Sequence, residues 1–190
     1  MGLKETFERR GFRFVEFQSK EEAVAFLCAE CAEKTVSFGG SVTVQELNLY
    51  EELQKKSECS WHWKKDPAQS ISNADVFITS ANAVSETGEI VNIDGHCNRV
   101  SASIYGHKQV YFVFGENKLT ADLPEAWNRA RNVAAPKNAK RLNRKTPCAI
   151  DGVCHDCQSP ECICSAIAIL RRKPSSCDAT LVLIRESLGY

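Results

Sequence analysis

Six short runs of β-prone residues are spaced along this chain, at 35–38, 75–79, 89–93, 109–114, 166–170 and 180–184. Two of them, DVFIT at 75–79 and VYFVF within 109–114, are too apolar for strands with one wet face. Segments of helical period lie between the runs, at 20–34, from Thr43 toward Lys56, and from Pro124 onward. Buried strands that alternate with helices predict an α/β fold, a mostly parallel sheet flanked by helices. At 190 residues the chain is long enough to bury a full core as one domain, 1–190, with its core over 20–190.

The helices carry their own signals. In KEEAVAFLCAECAEK, Ala23, Phe26, Leu27 and Cys31 share one face, so Cys28-x2-Cys31 reads as buried small residues rather than as a ligand pair. Thr43 and Glu46 form a T-x-x-E capping box. Pro124 suits a helix N-terminus, and Pro136 predicts an interruption or kink in the same helix. In Cys59-Ser60-Trp61-His62-Trp63 the aromatic residues predict a strand or lid around His62.

The strongest chemical signal is a cysteine-rich loop at 146–165, near the C-terminus. Five of the ten cysteines fall there, Cys148, Cys154, Cys157, Cys162 and Cys164, in TPCAIDGVCHDCQSPECICS. Dense thiols on a Gly- and Pro-turned loop suit a metal or cluster site. An iron–sulfur cluster would set a redox potential; a zinc ion would pin the loop, with His155 as a further donor; reduced thiols without metal are the third reading. The spacing departs from both ferredoxin patterns, only Cys154-x2-Cys157 matching the usual pair.

A second set of candidates lies where strands end. Gly39, Gly40, Ser41 and Thr43 follow the first run and open a helix, a layout that offers N–H groups and hydroxyls to an anion. Asn82, Ser85 and Glu86 follow the second run; Asn98 and Arg99 lie in the polar turn after the third; Lys118 follows the fourth. In α/β proteins ligand groups gather at such strand ends. Arg99 and Lys118 are natural partners for a small anionic organic ligand, and Glu86 is the candidate base or nucleophile.

Lys+Arg and Asp+Glu balance at 24 each, so no global field favours nucleic acid or an acidic membrane. The basic run Arg129, Arg131, Lys137, Lys140, Arg141, Arg144 and Lys145 reads as a solvated helix face. No run approaches a membrane span, and the charged start MGLKETFERRGFRF does not read as a secretion signal. Met1-Gly2-Leu3-Lys4-Glu5-Thr6 fits only the loose acylation pattern. A cytoplasmic location, with thiols kept reduced, is the expectation.

Taken together, FGGSVTVQELNL, TSANAVSETGEIVNIDG, CNRVSASIYGHKQVYFVFGENKL, AAPKNAKRLN, the cysteine loop and the final ESLGY closely resemble the LUD (lactate utilisation) domain family. The match is to its stand-alone, cysteine-bearing branch related to lactate-utilisation protein C. The resemblance implies a NagB/RpiA/CoA-transferase-like fold, with the Gly39–Thr43 loop in the place that holds phosphate or CoA-type anions in that wider fold. Glu86-Thr87-Gly88 loosely echoes the covalent glutamate of CoA transferases. The branch's usual SP-x-R-I-C ending puts Cys162 where arginine is common, which implies the ligand set Cys148, Cys154, Cys157 and Cys164, with Cys162 as alternative. Implied too are a role in L-lactate or organic-acid utilisation as an oxidoreductase accessory, and partner subunits in a lactate-oxidising system. The alternative is a protein or transferase for phosphate- or CoA-type ligands whose cysteine loop is a structural zinc site. Whether the chain is itself an enzyme is left open.

Overall fold

The computed structural model describes residues 2–64 and 74–190; the first residue of the acylation pattern lies outside them. In chain order the elements are α1 (Leu3–Arg9), β1 (Arg13–Phe17), α2 (Lys20–Glu30), β2 (Thr35–Phe38), α3 (Val42–Glu46), α4 (Leu49–Leu53), β3 (Glu58–Trp61), β4 (Val76–Thr79), β5 (Ala83–Ser85), β6 (Ile90–Asp94), α5 (Asn98–Ile104), β7 (Gln109–Gly115), β8 (Leu119–Thr120), α6 (Leu123–Arg129), α7 (Ala135–Arg141), α8 (Pro147–Asp151), β9 (Ala166–Leu170) and β10 (Asp178–Ile184). A 3₁₀ turn, Glu116–Lys118, precedes β8, and a π-helical turn, Ala130–Ala134, joins α6 to α7.

The main sheet has six strands, all parallel, in the order β1-β10-β7-β4-β2-β3. Both faces are covered, which explains the unbroken apolar runs. Tyr111 and Val113 of β7 face a core with Leu27 of α2, Val44 of α3 and Leu53 of α4. Val110, Phe112 and Phe114 face the opposite core, with Phe7 of α1 and Ala102 of α5. Cys31 is fully buried and Cys28 packs at the same core's edge, as expected of small apolar residues. Burial pushes the Cys31 thiol up to about 12. No helix among the described residues is long and apolar enough to cross a membrane.

Three features depart from the sequence expectation. A second, four-stranded sheet, β8-β5-β6-β9, takes up the runs at 89–93 and 166–170, with β6 antiparallel to both β5 and β9. Residues before 20 belong to the core: β1 is an edge strand of the main sheet and Phe7 and Phe14 are buried. The capping box at Thr43 is not formed. Ser41 caps α3 instead, its Oγ accepting from Val44 N at 3.2 Å, and the helix breaks at Asn48, whose φ is 49°. Thr43 is the second residue of α3, past the N-cap position, and its buried hydroxyl donates to Leu188 O at 3.3 Å. The interruption expected near Pro136 is present, as the π-helical turn that ends one residue before α7.

Phe112 is fully buried at the centre of β7. Phe112→Ala is expected to remove about 3–5 kcal/mol of unfolding free energy in a denaturant titration.

Candidate functional site

β10, β7, β4 and β2 are neighbours and run the same way, so the segments after them meet at one sheet edge. A cavity of about 80 Å³ lies there. Gly40, Ser41 and Thr43 reach it from beyond β2, Ser80 and Asn82 from beyond β4, Lys118 from beyond β7 and Tyr190 from beyond β10. Arg99 of α5, Asn138 and Arg141 of α7, Trp63 and Ile163 complete its wall.

Lys118 is the deepest cation, 3% exposed. Its Nζ donates to Thr43 Oγ1 at 2.7 Å and to Ser80 Oγ at 3.1 Å. Arg99 donates through Nη1 to Asn92 Oδ1 at 2.6 Å and Ser80 O at 3.3 Å, and through Nη2 to Ile93 O at 2.8 Å and Asn82 Oδ1 at 3.4 Å. Arg129 donates to Asn117 O at 2.9 Å and to Asn82 O. Arg141 donates to Asn138 Oδ1 and to the Tyr190 hydroxyl at 2.6 Å, and its guanidinium lies 5.0 Å from the Trp63 ring centre. All these acceptors are neutral. Among the described residues, none of the four cations forms an ion pair.

This placement has an electrostatic consequence. Burial, with Arg129 and Arg99 adding repulsion and Glu46 opposing, lowers the Lys118 ammonium to about 7. Burial also lowers Arg99 and Arg129 below the usual arginine value. A buried Lys118 and half-buried Arg99 and Arg129, with no ion-paired carboxylate among the described residues and only longer-range attraction from Asp94 and Glu46, favour an incoming anion.

Gly39 and Gly40 serve this geometry by being small. A Cβ on Gly39 would lie 2.9 Å from Arg99 Cγ, and one on Gly40 would lie 3.1 Å from the Trp63 indole. The tail after β10 closes the site: Gly189, at φ +59°, sits where a Cβ would be 2.5 Å from Thr43 Oγ1. Gly189 N donates to Glu46 Oε2 at 2.7 Å.

Of the residues expected here, Gly40, Ser41, Thr43, Asn82, Arg99 and Lys118 line the cavity. Gly39 backs Arg99. Asn98 lies farther out, on an adjoining groove of about 830 Å³ that also takes in His62, Trp63, Arg99 and Arg141. Glu86 is elsewhere: it is exposed on the β5–β6 turn and lines none of these spaces. The buried carboxylate of that turn is Glu89, which accepts from Ser85 at 2.5 Å and Thr87 at 2.6 Å and pairs with Arg10 at 2.6 Å, a structural arrangement. The sequence expectation missed Ser80, Arg129, Arg141 and Tyr190. Of the basic run expected to form a solvated face, Arg141 is exposed and still borders the cavity, whereas Arg129 is turned inward to Asn82 and Asn117.

The cysteine loop borders a separate cavity of about 330 Å³, lined by Cys148, Cys154, Cys157, Cys162, Cys164 and His155. Cys164 is packed against Trp127 and the second sheet. Its thiol is raised by burial first and then by Cys162, Cys154 and Cys148. Arg131 Nε donates to Cys154 Sγ at 3.2 Å, and Arg131 pairs with Asp156 at 3.0 Å. Among the described residues no three His, Cys, Asp or Glu side chains come together closely enough to hold a metal ion. Ile163 belongs to both cavities, and its backbone would lie 3.1 Å from a Cβ on Gly95.

The Lys118 ammonium predicts a pH dependence. With a folded value of about 7 against 10.5, its favourable contribution is complete above 10.5, is lost as pH falls toward 7, and is constant below. The wild-type minus Lys118→Met difference in unfolding free energy is therefore expected to change by on the order of 5 kcal/mol across that window, measured by denaturant titration.

The sequence matches the LUD domain family over residues 1–184. No curated protein matches it. A similar solved structure is a DUF162 family protein from Deinococcus radiodurans, at 12% identity and TM-score 0.55 with 96% of each chain covered, a likeness of fold. With the family match spanning nearly its whole length, the chain belongs to the LUD domain family.

Proposed function

We propose that this protein binds a small organic acid anion in the cationic cavity at the sheet edge and serves in the utilisation of L-lactate or a related acid, with partner subunits of an oxidising system. The observation that carries the reading is the grouping of Arg99, Lys118 and Arg141 around one small cavity, with Arg129 behind Asn82 and close enough to repel Lys118, all with only neutral hydrogen-bond partners. The family's lactate-utilisation name and the inner cavity's size support a small acid over a bulky ligand. A phosphate- or CoA-type ligand is the alternative, its anion in the inner cavity and its remainder along the outer groove. Transferase chemistry through Glu86 is disfavoured, because that side chain is exposed and outside both spaces.

Thermal melts with L-lactate, pyruvate, inorganic phosphate and CoA distinguish these. A ligand at about a hundred times its Kd stabilises by about 2.7 kcal/mol, which raises Tm by roughly 5–10 °C for a chain of this size. The small acids are expected to produce that shift and Arg141→Ala to abolish most of it. A shift with CoA alone would move the assignment to the alternative.

An iron–sulfur cluster or a zinc ion at the cysteine loop is the second part of the proposal. Its support is the convergence of five thiols and His155 on one cavity. As folded, the donors do not fit a single ion, so the loop must close for them to do so. A bound cluster would supply one-electron chemistry; zinc would supply rigidity. Anaerobic purification with iron, sulfide and zinc analysis is expected to find metal that Cys164→Ser loses; a metal-free wild-type protein would remove this part and leave the anion site intact.

A further inference from the structure

An anion site alone does not account for Lys118. Arg99 and Arg141 on the cavity, with Arg129 behind it, already supply positive charge, and arginine keeps that charge in any protein. A lysine placed deepest, 3% exposed, adds a cation where desolvation costs most. What it brings that arginine cannot is a nitrogen lone pair once a proton leaves.

The geometry around Nζ suits that role. Two of its hydrogen-bonding positions are taken by the hydroxyls of Thr43 and Ser80, and the amine also lines the cavity. Ser80 holds Lys118 through its side chain and Arg99 through its carbonyl, so amine and guanidinium sit on one residue. The cavity, about 80 Å³, is small beside the adjoining groove of about 830 Å³, so the part of a molecule that fills it has few heavy atoms. If one end is an acid and the other meets the amine, the reactive carbon is adjacent to the carboxylate or nearly so. We infer that Lys118 is a catalytic nucleophile that captures the carbonyl of a small oxo acid as a Schiff base. The inference rests on the anion-site reading above.

The neutral amine adds to the carbonyl carbon; a C–N bond forms as the π pair moves to oxygen. A proton passes from nitrogen to that oxygen, with Ser80 and Thr43 hydroxyls within reach to relay it. A second proton, taken from solvent through the same hydroxyls, goes to the carbinolamine oxygen; the C–O bond breaks, water leaves and the nitrogen lone pair closes an iminium, with no oxidant or reductant consumed. The ammonium faces Arg129 from α6, Arg99 from α5 and Glu46 from α3, and the first two favour its neutral form. A bound carboxylate pulls the proton back, so adduct formation is expected to rise with pH through a midpoint above 7.

The full-length protein is incubated with pyruvate or glyoxylate and cyanoborohydride, which delivers hydride to the iminium. Intact mass is expected to rise by the mass of the acid less one oxygen, and peptide mapping to place the adduct on Lys118. Excess L-lactate, which has no carbonyl to condense, is expected to suppress it, and Lys118→Arg to lose it. Mapping on the wild-type protein decides the matter even where the variant does not fold. Labelling spread over surface lysines overturns the inference. L-lactate raising Tm while no adduct forms overturns the Schiff base and leaves the anion site standing; neither effect overturns both.

Discussion

Positive charge without an ion-paired carboxylate among the described residues, at the carboxyl ends of four parallel strands, is the constraint on which the site depends. Neighbouring β2, β4, β7 and β10 bring Thr43, Ser80, Lys118 and the final residues to one edge because parallel strands all end on the same side. Holding a lysine near 7 instead of 10.5 corresponds to on the order of 5 kcal/mol against its charged form, comparable with the net stability of many domains. Neutral acceptors satisfy the hydrogen bonds of Lys118, Arg99 and Arg129 without cancelling their charge. A carboxylate in their place would stabilise the fold and abolish the attraction for a ligand.

The cysteine loop is mechanically part of that site. It contains few apolar residues, and its position is fixed by polar contacts: Lys145 N donates to Glu161 Oε2 at 2.9 Å, Ser159 Oγ to Lys145 O at 3.2 Å, and Thr146 is 2% exposed. Ile163 stands between two of its cysteines and forms wall for the anion cavity on one side and the thiol cavity on the other. It can sit so close because residue 95 has no Cβ. A rearrangement that drew the thiols together would therefore be felt at the anion site through Ile163 and Gly95.

What the sequence made legible follows from the range of the forces involved. Strand runs with both faces apolar announced the parallel sheet, and glycine and hydroxyl residues after those runs announced much of the cavity wall, because both are local patterns. The partition into two sheets was not readable: the runs at 89–93 and 166–170 look like the others, and only their pairing with each other, antiparallel, separates them. T-x-x-E at Thr43 mimics a cap locally, but α3 begins one residue earlier, capped by Ser41, and the Thr43 hydroxyl faces Lys118 and Leu188 O, both far along the chain. Arg129 was misread for the converse reason. The π-helical turn that follows it shifts the helix's phase, so a period of 3.6 extended through that segment does not report which side chains turn inward.

Glu86 and Glu89 show how little separation divides a plausible catalytic group from a structural one. Both lie on the β5–β6 hairpin, where side chains change face with each residue and the turn reverses the chain. Glu89 falls inward, onto Ser85, Thr87 and Arg10, and Glu86 outward. Neither reaches the inner cavity, whose lining among the described residues has an amine and hydroxyls and no carboxylate, the carboxylates Asp94 and Glu161 lying on the outer groove. That inventory suits recognition of a ligand that brings its own negative charge. The size of the inner cavity then limits the part of the ligand that can sit against Lys118 to a small acid group and its immediate neighbour, whatever extends into the groove beyond Trp63.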